Sequence, residues 1–253
     1  MSEIQNREDV LAISSLFDLC EILAAGSGGV WHKEGFDIYS VPETFWYNRV
    51  KLNGGLSNSL SAVIAQVADG ADSGQLPTLL CYSETDYPGE ALPVLLRRYG
   101  YKLHTTQAAM YMPLSASTND EFCELPEIIG IEDLEKWSAV TAPSLGKTSE
   151  SKGFSRLQGE EGCYFLVWRE DHETVGGLLL VCRDSHAGIH EVAVQKEYRG
   201  TGIASKLVQC AFEIAARNGC KAISLQASEM GAPLYSKLGM KKTGLFYTWI
   251  KEK

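Results

Sequence analysis

A strand, a glycine-containing loop and a helix follow one another between residues 189 and 217, and this succession most constrains the fold of the chain. IHEVAV (189–194) is an apolar strand pattern, RGTG (199–202) is the loop, and the apolar positions of the next segment recur on one helical face. The first turn of a helix has unpaired N–H groups and a partial positive charge, which together attract phosphate. The segment therefore predicts a phosphate cradle, with a merely well-capped helix start as the alternative.

The residues of the loop favour a diphosphate, and their spacing argues against two common cofactors. Gly200 and Gly202 have no side chains, so phosphate oxygens can approach their amides, and Arg199 adds a fork-shaped cation. A P-loop needs GxxxxGK[ST], which the loop lacks. A dinucleotide fold needs GxGxxG directly after its strand, whereas GTGIAS ends in Ser and starts four or more residues beyond VAV. Nicotinamide and nucleoside triphosphate cofactors are therefore disfavoured.

The order strand, helix, strand, short helix ending in Gly, strand occurs twice along the chain. In the first half, helices are predicted at 7–25, 56–70 and 90–100, and strands at 35–41, 45–52, 76–83 and 101–114. In the second half, helices are predicted at 131–146, 201–219 and 232–239, and strands at 163–170, 174–183, 189–194, 221–228 and 240–253. The polar stretch at 115–127 has the composition of a linker. We therefore predict two related α/β domains, residues 1–115 and 125–253.

Composition and charge exclude several classes of function. The net charge of −9 disfavours a nucleic-acid binder and weakly favours a cationic or amine-bearing small partner. The 7 Cys form no CxxC pair and the 5 His are scattered, so neither a metal site nor a disulfide framework is expected. We find neither an apolar run long enough for a membrane span nor a signal-peptide pattern, and we expect a cytoplasmic protein with no membrane partner.

Three elements in order carry a resemblance to the GCN5-related N-acetyltransferase (GNAT) superfamily. The signature [RQ]-x-x-G-x-[GA] matches residues 199–204, EVAV before it resembles the splayed strand of the family, and APLYSKLGM (232–240) resembles its A-x-x-LY-x-x-x-GF element. The resemblance covers about residues 125–253. It implies two tandem GNAT-like domains, each a mixed, mostly antiparallel twisted sheet flanked by helices. The first half lacks the cradle signature, so we expect it to be a degenerate domain without a coenzyme A site.

The resemblance also implies which residues hold acetyl-CoA, the expected acyl donor. The cradle for its diphosphate consists of Arg199, Gly200, Thr201, Gly202, Ile203 and Ala204. The backbone of Val192, Ala193 and Val194 is expected to pair with the pantetheine arm. Ser228 stands where the family commonly has Asn, and this difference weakens any contact that the resemblance assigns to it.

Acetyl transfer to an amine requires a base, an oxyanion donor and an acid for the departing thiolate. The resemblance gives Tyr235 the role of the acid. Glu191 and His190 are the candidate bases, with Glu191 preferred; as neighbours on a strand they are predicted to point to opposite faces. The backbone N–H of Val194 or of a neighbour is the expected oxyanion donor. The aromatic residues Trp31, Trp46 and Tyr47 are expected in the core, with an acceptor pocket as the second interpretation.

These expectations define two competing functions. The first is an N-acetyltransferase that moves an acetyl group from acetyl-CoA to a primary amine of a small molecule or peptide, by direct transfer in a ternary complex. The alternative is a non-catalytic acyl-CoA-binding or regulatory module. Tyr235 favours the enzyme, whereas Ser228 slightly favours the alternative.

Overall fold

A computed structural model describes residues 3–25, 28–54, 60–115, 127–128, 134–144 and 151–252. Its helices are α1 (Glu3–Ala25), α2 (Leu60–Asp72), α3 (Ala91–Arg98), α4 (Leu134–Ser144), α5 (Ser151–Phe154), α6 (Ile203–Arg217) and α7 (Ala232–Lys237). Its strands are β1 (Gly29–Lys33), β2 (Phe36–Ser40), β3 (Arg49–Leu52), β4 (Leu79–Ser83), β5 (Tyr101–Pro113), β6 (Glu127–Ile128), β7 (Cys163–Glu170), β8 (Glu173–Arg183), β9 (His186–Val194), β10 (Ala222–Ala227) and β11 (Lys241–Lys251).

All of these strands belong to one mixed sheet. Their order is β1-β2-β3-β4-β11-β5-β10-β9-β8-β7-β6. The neighbours β3–β4 and β9–β10 are parallel, and the other neighbours are antiparallel. The expected α/β fold with a mixed, mostly antiparallel sheet is confirmed.

The two halves of the chain exchange their last strands. β11 lies between β4 and β5 of the first half, and β5 lies between β11 and β10 of the second half. The central order β3-β4-β11-β5-β10-β9 is therefore symmetric. Counted from the two ends, β3 corresponds to β9, β4 to β10 and β11 to β5. The sheets expected for the two halves are thus joined through this exchange, because each last strand is hydrogen-bonded to both halves.

Helices cover both faces of the sheet, and each face has its own core. Residues of α1 and α4 pack on one face together with Cys81 of β4 and Leu179 of β8. On the other face α2 packs over β4, and α6 packs over β8 to β10. Leu80 and Tyr82 of β4 belong to this second face, as strand alternation requires.

Helix α1 ties the first half to the strands of the second half. The Ser15 hydroxyl lies 2.9 Å from the Ser224 hydroxyl of β10, and Gln226 Nε2 donates to the Ala12 carbonyl at 2.8 Å. These polar contacts lie under an apolar helix face, where the cost of burial makes hydrogen-bonded partners necessary. The first half is therefore packed directly against the strand pair β9–β10.

The predicted strand at 45–52 is wrong in its first part. Only Arg49–Leu52 is a strand, and residues 41–48 form a loop, here called the 41–48 loop. Asn48 Oδ1 accepts from the Val41 N–H at 3.1 Å, and Thr44 Oγ1 accepts from the Tyr47 N–H at 3.2 Å. Asn and Thr side chains bond nearby backbone groups in this way and stabilise turns against strand pairing. Most of the predicted linker at 115–127 lies outside the described residues.

A histidine buried at the α1–β9 contact gives a pH-dependent stability. His186 is 9% exposed, its Nδ1 lies 3.2 Å from Ser14 Oγ, and burial lowers its pKa to about 4. The unfolded chain, with an ordinary pKa near 6.5, binds a proton first as pH falls, so the stability from this group is present above pH 6.5 and is lost towards pH 4. Asp18 acts in the opposite direction, because burial raises its pKa to about 6.

We therefore expect the stability advantage of the wild type over His186→Gln to shrink by about 2 kcal/mol between pH 8 and pH 5. Urea unfolding at several pH values measures this difference, and the Asp18 contribution is common to both proteins. A difference between the wild type and His186→Gln that stays constant from pH 8 to pH 5 would contradict the assignment.

Candidate active site

Strands β9 and β10 diverge and leave a gap in the middle of the sheet. They pair only at Ala222–His186, Ile223–Ala187 and Ser224–Gly188, although β9 continues to Val194 and β10 to Ala227. On its other side β9 remains paired with β8 as far as Val194. The backbone of the last part of β9 is therefore open on the side that faces β10.

A β-bulge at Glu191 changes the direction of the side chains on β9. Leu179 pairs with His190 and Gly177 with Ala193, so Leu178 alone stands opposite Glu191 and Val192. Glu191 has a φ of 55°, a left-handed conformation that is rare for a residue with a side chain and costs on the order of 1–3 kcal/mol. Such strain is concentrated at functional sites.

The bulge overturns the prediction that His190 and Glu191 point to opposite faces. A Cβ on Gly188 would lie 2.6 Å from His190 Nε2 and equally near Ser15 Cβ, so the imidazole lies on the α1 side. Glu191 accepts a hydrogen bond from Tyr47, which belongs to the core of that same side. The extra residue of the bulge interrupts the two-residue alternation on which the prediction was based.

Hydrogen bonding to β8 determines which backbone groups of β9 face the gap. The Gln195 N–H donates to the Val175 carbonyl of β8 at 2.8 Å. Bonded and non-bonded positions alternate along an antiparallel pair, so Ala193 is turned towards β8 and Val194 towards the gap. The Val194 carbonyl accepts a hydrogen bond from Arg199 Nε at 3.1 Å. The Val194 N–H is therefore the group of this residue that can donate to a ligand in the gap.

The loop before α6 has the conformation that only its glycines favour. Gly200 has a φ of 82° and Gly202, the N-cap residue, a φ of 91°. A Cβ at either glycine would meet no atom of the described residues within 4 Å, so the space above both is open. The first helical bond runs from the Lys206 N–H to the Gly202 carbonyl, so the amides of residues 203–205 point out of the helix end.

The other predicted cradle residues have distinct positions. Arg199 and Thr201 are exposed, and the Thr201 hydroxyl donates to the Tyr198 carbonyl at 2.7 Å, which stabilises the loop. The Ile203 side chain is buried beneath α6, and Ala204 is half-buried against the same core. The helix start is therefore anchored from below while its amides remain exposed above.

Tyr235 and Ser228 lie at the β10–α7 junction, on the other side of the gap. Tyr235 is 8% exposed and packs in the same core as Val194 and Ile203. Burial raises the pKa of Tyr235 above its ordinary value of 10.0, so its hydroxyl is protonated at neutral pH. Ser228 is exposed, and its Oγ accepts from the Gly231 N–H at 3.1 Å, so it caps the turn that leads into α7.

The contact that sequence reasoning did not predict is the one between Tyr47 and the candidate base Glu191. The Tyr47 hydroxyl donates to Glu191 Oε1 at 2.5 Å, and Tyr47 is 1% exposed. It is a core residue, as expected, and at the same time a contact of the candidate base. Trp46 is half-buried, whereas Trp31 is 45% exposed on the edge strand β1, so the three aromatic residues do not form one cluster. The polar residues Asn48 and Thr44 are sequence signals that the segment leaves the sheet.

Among the described residues, Cys163 and the metal-ligating side-chain types lack the features of a second site. Cys163 is half-buried and burial raises its pKa to about 11, so its thiol is protonated at neutral pH. Within the described residues, no group of three or more His, Cys, Asp or Glu is arranged to hold a metal ion. None of the described helices is both long and apolar enough to cross a membrane.

The corresponding place in the first half is closed by its own side chains. The Tyr87 hydroxyl donates to the Asn53 carbonyl at 2.6 Å, just beyond the end of β3. A Cβ on Gly54 would lie 2.9 Å from Asp86 Oδ1, so a carboxyl group occupies the start of that loop. Residues 55–59 lie outside the described residues.

Comparison with known proteins finds acetyltransferases among the similar sequences. Residues 131–240 match the model of the acetyltransferase (GNAT) family. A match to human N-acetyltransferase 8B has 33% identity and covers 36% of this chain and 45% of that protein. A match to glucosamine 6-phosphate N-acetyltransferase of Trypanosoma brucei brucei has 38% identity and covers 21% of this chain and 36% of that protein. The chain thus spans less than half the length of either relative.

Solved structures extend the likeness of fold to the whole chain. A GCN5-related N-acetyltransferase from Kribbella flavida superposes with a TM-score of 0.73 at 12% identity, covering 100% of this chain and 97% of that one. Another from Sphaerobacter thermophilus has a TM-score of 0.55 at 18% identity, over 79% and 72% of the two chains. The fold and the splayed strands agree with the match of residues 131–240 to the acetyltransferase (GNAT) family model.

Proposed function

We propose that the chain is an acetyl-CoA-dependent N-acetyltransferase that acts on a primary amine of a small molecule or peptide by direct transfer in a ternary complex. The observation that carries the proposal is the open gap between β9 and β10, bordered by the glycine loop at one side and Tyr235 at the other. Human N-acetyltransferase 8B and the trypanosomal glucosamine 6-phosphate enzyme carry the same activity in their names, which supports this class of reaction.

The residues present fit the donor. Exposed amides at the start of α6 and the Arg199 guanidinium offer hydrogen bonds and positive charge to a diphosphate, and the open space above Gly200 and Gly202 admits its oxygens. The gap-facing backbone of Val192 and Val194 offers strand-like hydrogen bonds to an extended amide-containing arm. When bound, acetyl-CoA supplies a thioester, which is an activated acyl group.

The side chains around the gap supply the remaining chemistry. Glu191 takes a proton from the acceptor amine, because a protonated amine has no lone pair for attack. The Val194 N–H donates to the oxygen on which negative charge develops. Tyr235 donates its proton to the departing sulfur, and its buried hydroxyl is protonated at neutral pH. His190 is 6% exposed against α1, so we assign it to packing rather than to proton transfer.

We further propose that the first half, residues 1–115, is a degenerate GNAT-like domain that binds no donor. The Asp86 carboxylate beside Gly54 would repel a diphosphate. The Tyr87 hydroxyl donates to the Asn53 carbonyl beyond β3, a group that would otherwise be open to a donor molecule. The first half instead contributes to the active site of the second half, through the shared sheet and through the 41–48 loop.

The first test is donor binding and turnover with the purified chain. Acetyl-CoA should raise the melting temperature, whereas NAD and ATP should not, since a ligand of the native state stabilises it. Release of free thiol over a panel of amines then distinguishes an enzyme from a non-catalytic acyl-CoA-binding module. Binding without turnover on any amine would support the module, and no binding would refute both.

The glycine loop gives a sharper test with a matched control. We expect Gly202→Ala to weaken acetyl-CoA binding by about tenfold or more, because the new Cβ fills the cradle and strains a left-handed residue. Gly219→Ala is the control: it lies at the other end of α6 with a φ of 80° and equally open surroundings. Both variants should lose similar stability, but only Gly202→Ala should change the Kd measured by calorimetry. Equal Kd values would contradict the cradle.

A further inference from the structure

We propose that Tyr47, a residue of the first half, is a positioning residue for the Glu191 carboxylate in the second half. The inference rests on the proposed function, since it concerns the base of that reaction. In this proposal, residues of both halves form the active centre. The direct observation is the hydrogen bond of 2.5 Å from the Tyr47 hydroxyl to Glu191 Oε1.

Tyr47 is held rigidly enough to set the position of a partner. It is 1% exposed, its ring meets the Phe154 ring edge to face at 5.6 Å, and its N–H donates to Thr44 Oγ1. Tyrosine has only two side-chain torsions, so this packing leaves its hydroxyl with a defined location. The hydrogen bond therefore costs little entropy beyond what the core already imposes.

The 41–48 loop that carries Tyr47 is fixed at both of its sides. Arg49 is fully buried, its Nε donates to the Trp46 carbonyl at 2.9 Å, and its guanidinium lies 5.0 Å from the centre of the Trp46 ring. Glu43 forms an ion pair of 2.7 Å with Arg156 of the second half. The loop thus bridges the two halves at the place where Glu191 lies.

The bond to Tyr47 suits the chemistry expected of Glu191. It engages Oε1 of the carboxylate. A hydrogen bond from a hydroxyl group stabilises the ionised form of a carboxyl group, which is the form that acts as a base. A donor to a carboxylate also forms a stronger bond than a neutral pair, which helps to hold the left-handed Glu191 in place.

The test combines Tyr47→Phe, Glu191→Gln and their double variant. We expect Tyr47→Phe, which retains the ring, to lower kcat/KM by about tenfold and to move the acidic limb of its pH profile to higher pH. In the Glu191→Gln background the same change should cost less than about twofold, because Tyr47 acts through Glu191. Tyr101→Phe is the control, since Tyr101 is as buried and its hydroxyl has no hydrogen-bond partner among the described residues.

A merely structural Tyr47 would give a different result. In that case Tyr47→Phe would leave the pH profile unmoved, or its loss of activity would multiply fully with that of Glu191→Gln. Either outcome would overturn the proposal. Acetyl-CoA affinity should stay unchanged throughout, since the proposed role of Tyr47 concerns the base and not the donor cradle.

Unfolding equilibria keep this test separate from the test of the function. Tyr47→Phe and Glu191→Ala should be coupled by about tenfold in the ratio of folded to unfolded protein, as expected for a charge-assisted hydrogen bond. If the wild type acetylates no amine but the coupling is found, the proposed function fails while the contact stands. Additive effects on unfolding would refute the contact itself.

Discussion

Replacing Glu191 with glutamine is expected to lower kcat/KM for an amine by about 10²-fold or more at pH 7, the usual contribution of a general base. Glutamine has nearly the same shape and can still accept the Tyr47 hydrogen bond, so the bulge and the gap should persist. What the variant loses is basicity. An alkylamine with an ordinary pKa near 10.4 is almost fully protonated at neutral pH and depends on a base to become a nucleophile.

This dependence gives the experiment a pH signature. As pH rises towards 10, the free amine becomes abundant and the deficit of Glu191→Gln should shrink. Kinetics of thiol release between pH 6.5 and 10 measure the effect, and calorimetry should show an unchanged Kd for acetyl-CoA. Glu173→Gln, an exposed carboxylate at the start of β8, is the control with wild-type kinetics expected. A deficit that is the same at every pH would argue that Glu191 is structural.

The conformation of the glycine loop could be predicted from sequence because it depends on local pattern. RGTGIA before an amphipathic helix requires glycines and exposed amides, and the structure has both, with left-handed Gly200 and Gly202 and an anchored Ile203. The helix–strand order of each half followed from apolar periodicity for the same reason. These features depend on residues that are close in the chain.

Features that depend on distant residues could not be predicted in this way. The bulge at Glu191 arises from the pairing of β9 with β8, and no turn residue marks it in EVAV. β5 and β11 could each pair with the strands of their own half or with those of the other half. The alternation of apolar and polar residues is the same in both arrangements, so it cannot distinguish them. Tyr47 reaches Glu191 across 144 positions of sequence, so local pattern gives core or acceptor pocket as its place but not its contact with the candidate base.

The two halves differ at the ends of their parallel strand pairs. Both have a parallel strand pair, β3–β4 and β9–β10, but only β9 continues well past the pairing. In the first half the space is taken by Tyr87 and Asp86, and the longer connection between β2 and β3 reaches over to Glu191 instead. Under the proposed function, a half that binds no donor would thus still shape the site of the other half.

Replacing Tyr235 with phenylalanine is expected to lower kcat by about 10²-fold with little change in acetyl-CoA affinity, because only the proton donor for the departing sulfur is removed. The ring that fills the core remains, so the fold should lose little stability. Since burial raises the pKa of Tyr235, the wild-type kcat should not fall on the alkaline side before about pH 10.

Tyr164→Phe is the matched control for this change. Its hydroxyl also has a defined role, a 2.7 Å bond to Asn218, but it lies at the far end of α6 from the glycine loop. Steady-state kinetics, calorimetric Kd values and melting temperatures of the two variants together separate the loss of an acid from the loss of a contact. Wild-type turnover in Tyr235→Phe would remove the acid role and leave Tyr235 as a core aromatic residue. A large rise in Kd would instead identify it as a donor-binding residue, because the hydroxyl would then act before the chemical step.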